Sequence, residues 1–147
     1  MSDDQHQFPR RIKIQRLEDY HTHFCGRILS SGNLFLGVYI SELVKSSESA
    51  LGNLRCYAVV FEFTPDGKFF RNTHRTGDVP HTSYDELQGL VDPFGPVEYC
   101  DIEVDLFDTI IDGIRFGLIP NPEFGFIDLQ LRAEIAFYHP WDGDYYT

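Results

Sequence analysis

Residues 54–63 carry apolar side chains on both sides of an extended chain. Cys56, Ala58 and Val60 fall on one side, Tyr57, Val59 and Phe61 on the other. A strand of this kind must be covered on both faces, which places it in the middle of a sheet. Thr64-Pro65-Asp66-Gly67 follows directly. Proline sets the first bend of a tight turn and glycine supplies its positive φ. Residues 68–75 are therefore expected to return as a partner strand, and any fold for this chain must accommodate that hairpin.

The rest of the chain repeats the theme of short strands and turns. Residues 10–16 alternate, with Ile12 and Ile14 on one side and Arg11, Lys13 and Gln15 on the other, as a half-buried strand does. Residues 21–29 and 34–40 read as a hairpin about Ser30-Ser31-Gly32-Asn33. Residues 41–53, with four serines, read as a loop. Residues 97–107 read as one strand, turned at Ile111-Asp112-Gly113 into a return over 114–119. Residues 128–138 alternate as a final half-exposed strand, with Leu129, Leu131, Ala133, Ile135 and Phe137 on one side.

One helix is expected. Ser83 and Glu86 have the spacing of a capping box. Tyr84, Leu87, Leu90 and Val91 then share a helical face, and Pro93 with Gly95 ends it. The fold class is α+β, mainly β: an antiparallel curved meander of about eight strands with one short helix packed on it. An aromatic fraction of 15% suits such a sheet, because flat side chains pack well on a pleated surface. The 147 residues suffice for a core without staples, since a fold of this size hides roughly 70% of the surface its unfolded chain exposes. We expect a single domain over 1–147, with 1–9 a flexible arm and 139–147 a tail folded back onto the sheet.

Charge narrows the partners. The net charge is −11, and it is unevenly spread. Residues 1–75 hold ten basic and eight acidic residues, whereas 76–147 hold two and fifteen. Free nucleic acid and anionic membranes are disfavoured as partners, and a basic protein is favoured. No run approaches the ~20 apolar residues of a membrane helix, and residues 1–11 lack the apolar core of a secretory signal. Cys25, Cys56 and Cys100 are odd in number and far apart. They read as small buried hydrophobes in a reducing compartment, so the expected location is cytoplasmic.

Three constellations could carry chemistry. Asp101, Glu103 and Asp105 alternate with Ile102, Val104 and Leu106, which lines the carboxylates up on one side of a strand. They suit a basic partner, or solvent with a neighbouring arginine such as Arg132, better than catalysis. His21 and His23 would face the same way, ~7 Å apart along a strand, and could hold one divalent transition metal with help from Asp19, His139 or Asp142. Cys25 lies ~13 Å beyond His21, too far to close one site. His139-Pro140-Trp141-Asp142-Gly143 contains the chain's only Trp, a residue type that often anchors interfaces. No nucleophile elbow, phosphate loop, Cys-x-x-Cys or His-Glu-x-x-His motif is present.

Taken together, Asp19-Tyr20-His21-Thr22-His23 with Gly26-Arg27, the strand Cys56-Tyr57-Ala58-Val59, the stretch from Asp101-Ile102 through Gly113-Ile114-Arg115-Phe116-Gly117-Leu118, and the closing Pro140-Trp141-Asp142-Gly143 carry a likeness. The chain resembles a family of small bacterial proteins often labelled formate hydrogenlyase regulatory proteins. The resemblance covers most of the chain in order. It departs at Tyr146, where the family usually has Asp. It implies that His21, His23, Trp141 and Asp142 belong to one shared feature, and it implies no catalytic residues. A regulatory subunit of a redox complex would be one role consistent with the label. No helix-turn-helix or basic reading helix supports direct DNA binding.

The expected function is a non-catalytic, intracellular protein-binding domain. An immunity-like or regulatory protein would meet a basic partner through Asp101, Glu103, Asp105 and Trp141, with no cofactor. The alternative is a metal-binding protein or metal-dependent enzyme built on His21 and His23.

Overall fold

The computed structural model describes residues 8–15, 23–46, 49–78, 84–129, 135–143 and 145–146. The chain forms two compact units. One comprises Met1–Gln15 with Glu103–Thr147, the other Arg16–Ile102. Both are built from antiparallel strands, and the described residues contain one short α-helix.

In the Arg16–Ile102 unit, β2 (His23–Ile28), β3 (Leu34–Ser46), β4 (Ser49–Phe63) and β5 (Phe69–Asp78) follow one another as a meander. A later strand, β6 (Val97–Tyr99), then pairs with β2, giving the order β5-β4-β3-β2-β6. The expected turns form. Gly32 and Gly67 take φ of 77° and 89°. Ile28 N–H donates to the Asn33 carbonyl at 2.8 Å, and Thr64 N–H to the Lys68 carbonyl at 2.8 Å. β4 lies between β3 and β5, and every residue from Tyr57 to Phe63 is buried.

The helix α1 (Tyr84–Val91) covers part of this sheet. Leu87, Leu90 and Val91 pack with Ile28, Phe35, Ala58 and Val60, joined by Phe94, Val97 and Tyr99. A single 3-10 turn over Asp92–Phe94 follows the helix. Gly95 closes it with φ 78° and an N–H bond to the Asp92 carbonyl at 3.1 Å. Ser83, the expected cap, lies outside the described residues.

In the other unit, β1 (Arg11–Ile14) pairs with β7 (Ile102–Asp105). A second meander runs β12-β11-β10-β9-β8, through β8 (Phe107–Ile111), β9 (Ile114–Asn121), β10 (Phe126–Leu129), β11 (Ile135–Phe137) and β12 (Tyr145–Tyr146). Ile12, Ile14, Val104, Phe116, Leu118, Ile127, Leu129 and Phe137 are buried here. Asp112 and Gly113 turn β8 into β9 with φ of 53° and 76°, a hairpin of the primed type that matches strand twist.

Among the described residues the strands number twelve segments against the eight expected: two expected strands are divided and β12 adds one, while β3 and β4 are longer than expected. Within the serine-rich stretch, residues 41–46 belong to β3 and 49–53 to β4 where a loop is expected, pairing Ser41 with Cys56, Glu42 with Arg55 and Leu43 with Leu54. A ladder to a neighbouring backbone sustains extension where side-chain propensity is weak. The expected strand 97–107 is cut into β6, β7 and β8, which pair with β2, β1 and β9 respectively. The Leu106 N–H bond to the Arg10 carbonyl at 2.9 Å helps divert the chain. The expected strand 128–138 is a hairpin that pairs Leu129 with Ile135 and Ile127 with Phe137. Residues 130–134 lie outside the described residues.

Candidate functional site

β7 delivers the central carboxylates. Ile102 and Val104 point into the core while Glu103 is exposed and Asp105 half-buried, as period-two alternation dictates. Asp101 lies ahead of the strand and is exposed. Asp105 is engaged: Arg11 Nε on β1 donates to its Oδ1 at 2.8 Å. The cation beside the carboxylate row is thus Arg11, and the anticipated Arg132 lies outside the described residues. Ninety-four positions separate Arg11 from Asp105, so no local sequence signal could pair them.

Further carboxylates of this unit reach the surface. Asp108, Asp112, Glu123 and Asp142 are exposed. Asp108 accepts two hydrogen bonds from Arg115, at 2.8 and 3.0 Å. Residues 103–147 hold nine acidic side chains against two arginines, and among the described residues five of these carboxylates, Glu103 included, are exposed.

The closing segment forms a corner within the same unit. Trp141 is partly exposed with φ 67°, and its N–H donates to the Tyr138 carbonyl at 2.9 Å. Its ring lies 6.1 Å from Phe8 and 6.4 Å, edge-on, from His139. Gln15 Nε2 donates to the Asp142 carbonyl at 3.2 Å. Gly143 is buried with φ 105°, and a Cβ there would collide with the Gln15 side chain. β12 then adds itself to the sheet edge beside β11.

Of the expected metal ligands, His21 and Asp19 lie outside the described residues, and His23 sits on β2 opposite Val38. Among the described residues no group of three or more His, Cys, Asp or Glu is placed to hold a metal ion. Nor, among them, is any helix long and apolar enough to cross a membrane.

Two carboxylates carry more structural consequence than sequence reasoning gave them. Glu62 on β4 is buried, and accepts from Asn33 Nδ2 at 2.7 Å and Arg71 Nε at 2.9 Å. Asp128 on β10 accepts from Asn121 Nδ2 at 3.4 Å through one oxygen, while its other oxygen is buried with no partner among the described residues. Burial pushes the Asp128 carboxyl above its ordinary value, and the Asn121 bond pulls it part of the way back. Alternation marked Asp128 only as a member of a polar face.

No protein-family model, curated protein or solved structure matches the chain.

Proposed function

We propose that the chain is a protein-binding module that meets a basic protein partner through the acidic surface of its Glu103–Thr147 segment. An immunity-like inhibitor of a basic toxin or nuclease is the concrete form of this reading, and a regulatory subunit is the broader one. The observation that carries it is Glu103, exposed on β7 in a segment with nine carboxylates and two arginines. Asp112, Glu123 and Asp142, also exposed, extend the negative field. Trp141, partly exposed beside Phe8 and His139, offers the apolar anchor that such interfaces commonly centre on. Fields of this kind steer oppositely charged partners and quicken association more than they slow release.

The test uses the purified chain with a basic protein recovered at low salt, mixed rapidly while binding is followed. Association should slow about tenfold between ~50 and ~300 mM salt. Glu103→Lys should slow it at low salt while leaving the melt unchanged. An on-rate indifferent both to salt and to Glu103→Lys would overturn the reading.

A further inference from the structure

β2 and β6 pair with Gly26 opposite Tyr99, Arg27 opposite Glu98 and Ile28 opposite Val97. One step further along this register sets Cys25 opposite Cys100. The Cys100 N–H donates to the Cys25 carbonyl at 3.2 Å, and at the other end the Leu29 N–H donates to the Pro96 carbonyl at 3.1 Å. Both fall on the hydrogen-bonded positions of an antiparallel ladder, where opposed Cα atoms lie about 5.5 Å apart. That separation is inside the range a disulfide spans. Directly opposed residues project from the same face of a sheet. The two cysteines already touch: Cys25 S–H donates to the Cys100 carbonyl oxygen at 3.2 Å. Both side chains are thiols, Cys25 buried and Cys100 partly exposed.

We propose that Cys25 and Cys100 form a peroxide-oxidisable dithiol that closes into a disulfide and staples the edge strand β6 to β2. The difference in exposure assigns the roles. Cys100, as thiolate, attacks one oxygen of hydrogen peroxide. The O–O bond breaks, hydroxide leaves and is protonated to water, and Cys100 becomes a sulfenic acid. Cys25, shielded from bulk oxidant but opposite in the ladder, then attacks the Cys100 sulfur. The S–S bond forms, the S–O bond breaks, and the oxygen leaves as a second water carrying the Cys25 proton. One peroxide thus oxidises two thiols to one disulfide and is itself reduced to two waters. Stapling acts on a strand of three residues at the sheet edge, where ladder bonds are few and opening is easiest.

The experiment treats the reduced chain with stoichiometric hydrogen peroxide, blocks remaining thiols, and maps a digest made without reductant. A Cys25–Cys100 linked peptide pair is expected, lost on adding a dithiol reductant. In Cys100→Ser, a near-isosteric change, the link should be absent and Cys25 should remain available for blocking. Amide exchange over Val97–Tyr99 should slow in the oxidised chain. Sulfinic acid at Cys100 with Cys25 still a thiol would overturn the proposal. So would a link through Cys56 or to a second chain. Intact thiols under a dose that oxidises the same chain unfolded would do so too, and a link without slower exchange would overturn the stapling.

Discussion

Each five-stranded sheet carries a carboxylate on an interior strand, and the two are treated differently. Glu62 on β4 is only 4% exposed, yet both oxygens are used: Arg71 lies directly across the ladder on β5, and Asn33 arrives from the turn before β3. Asp128 on β10 is the more exposed residue, yet one of its oxygens is stranded. Its cross-strand neighbours explain this: Ile119 on β9 and Ala136 on β11, neither able to donate from its side chain. The lesson is that depth alone does not set the electrostatic cost of a sheet carboxylate. What matters is whether the opposed position supplies a donor.

The sheets share a backbone constraint, which gives the largest expected effects. Gly26 on β2 and Gly117 on β9 each sit beside an outermost strand, and at each a Cβ would run into a neighbouring carbonyl, that of Glu98 or that of Phe107. Gly117 also holds φ 145°. Gly26→Ala and Gly117→Ala should each cost about 2–3 kcal/mol in denaturant unfolding, with Gly117→Ala the worse. Indifference at either position would mean that its edge strand shifts freely, and would break the parallel between the sheets.

The next effect separates the two carboxylates. Glu62→Ala removes two charge-assisted hydrogen bonds and leaves a small void, and should cost about 2 kcal/mol. Arg71→Ala should cost less, about 1 kcal/mol, because the arginine side chain is 60% exposed and much of the pair's attraction is screened. Glu62→Ala together with Arg71→Ala should cost less than the sum of the singles, as coupled partners do. Additive losses would show that Glu62 contributes through packing alone.

How much of this could be read in the sequence follows from the range of each signal. The hairpin through Pro65 and Gly67, the turn at Asp112-Gly113 and the helix face of Leu87, Leu90 and Val91 are local patterns, and all three form. The alternation of Ile102, Glu103 and Val104 gave the correct inward and outward faces. Period-two alternation does not reveal where an extended run changes partner, so the breaks near Cys100 and Leu106 were invisible, as was the hairpin joining β10 to β11. Pairings across the chain were equally hidden. Arg11 with Asp105, Gln15 with Asp142 and Cys25 with Cys100 are each many residues apart, and their meeting depends on strand order, which no local pattern encodes.

The smallest effect is the sharpest test of the comparison, because its sign depends on pH. The Asp128 carboxyl titrates above its ordinary value of 3.8, chiefly through burial. The folded chain therefore holds this proton more tightly than the unfolded chain does. Below 3.8 the group is neutral in both states and costs nothing. As pH rises from there through the raised value, the unfolded chain sheds the proton more readily, and stability is lost. At neutral pH the folded state bears an ionised group with one stranded oxygen. Asp128→Asn removes the charge and keeps the shape. It should be more stable than the parent near neutral pH by about 0.5 kcal/mol, a modest gain because the carboxyl is still partly solvated. The gain should shrink on acidification to about pH 3. Unfolding curves for both chains across that range check it, and a difference that stays constant with pH would mean that Asp128 is as well satisfied as Glu62.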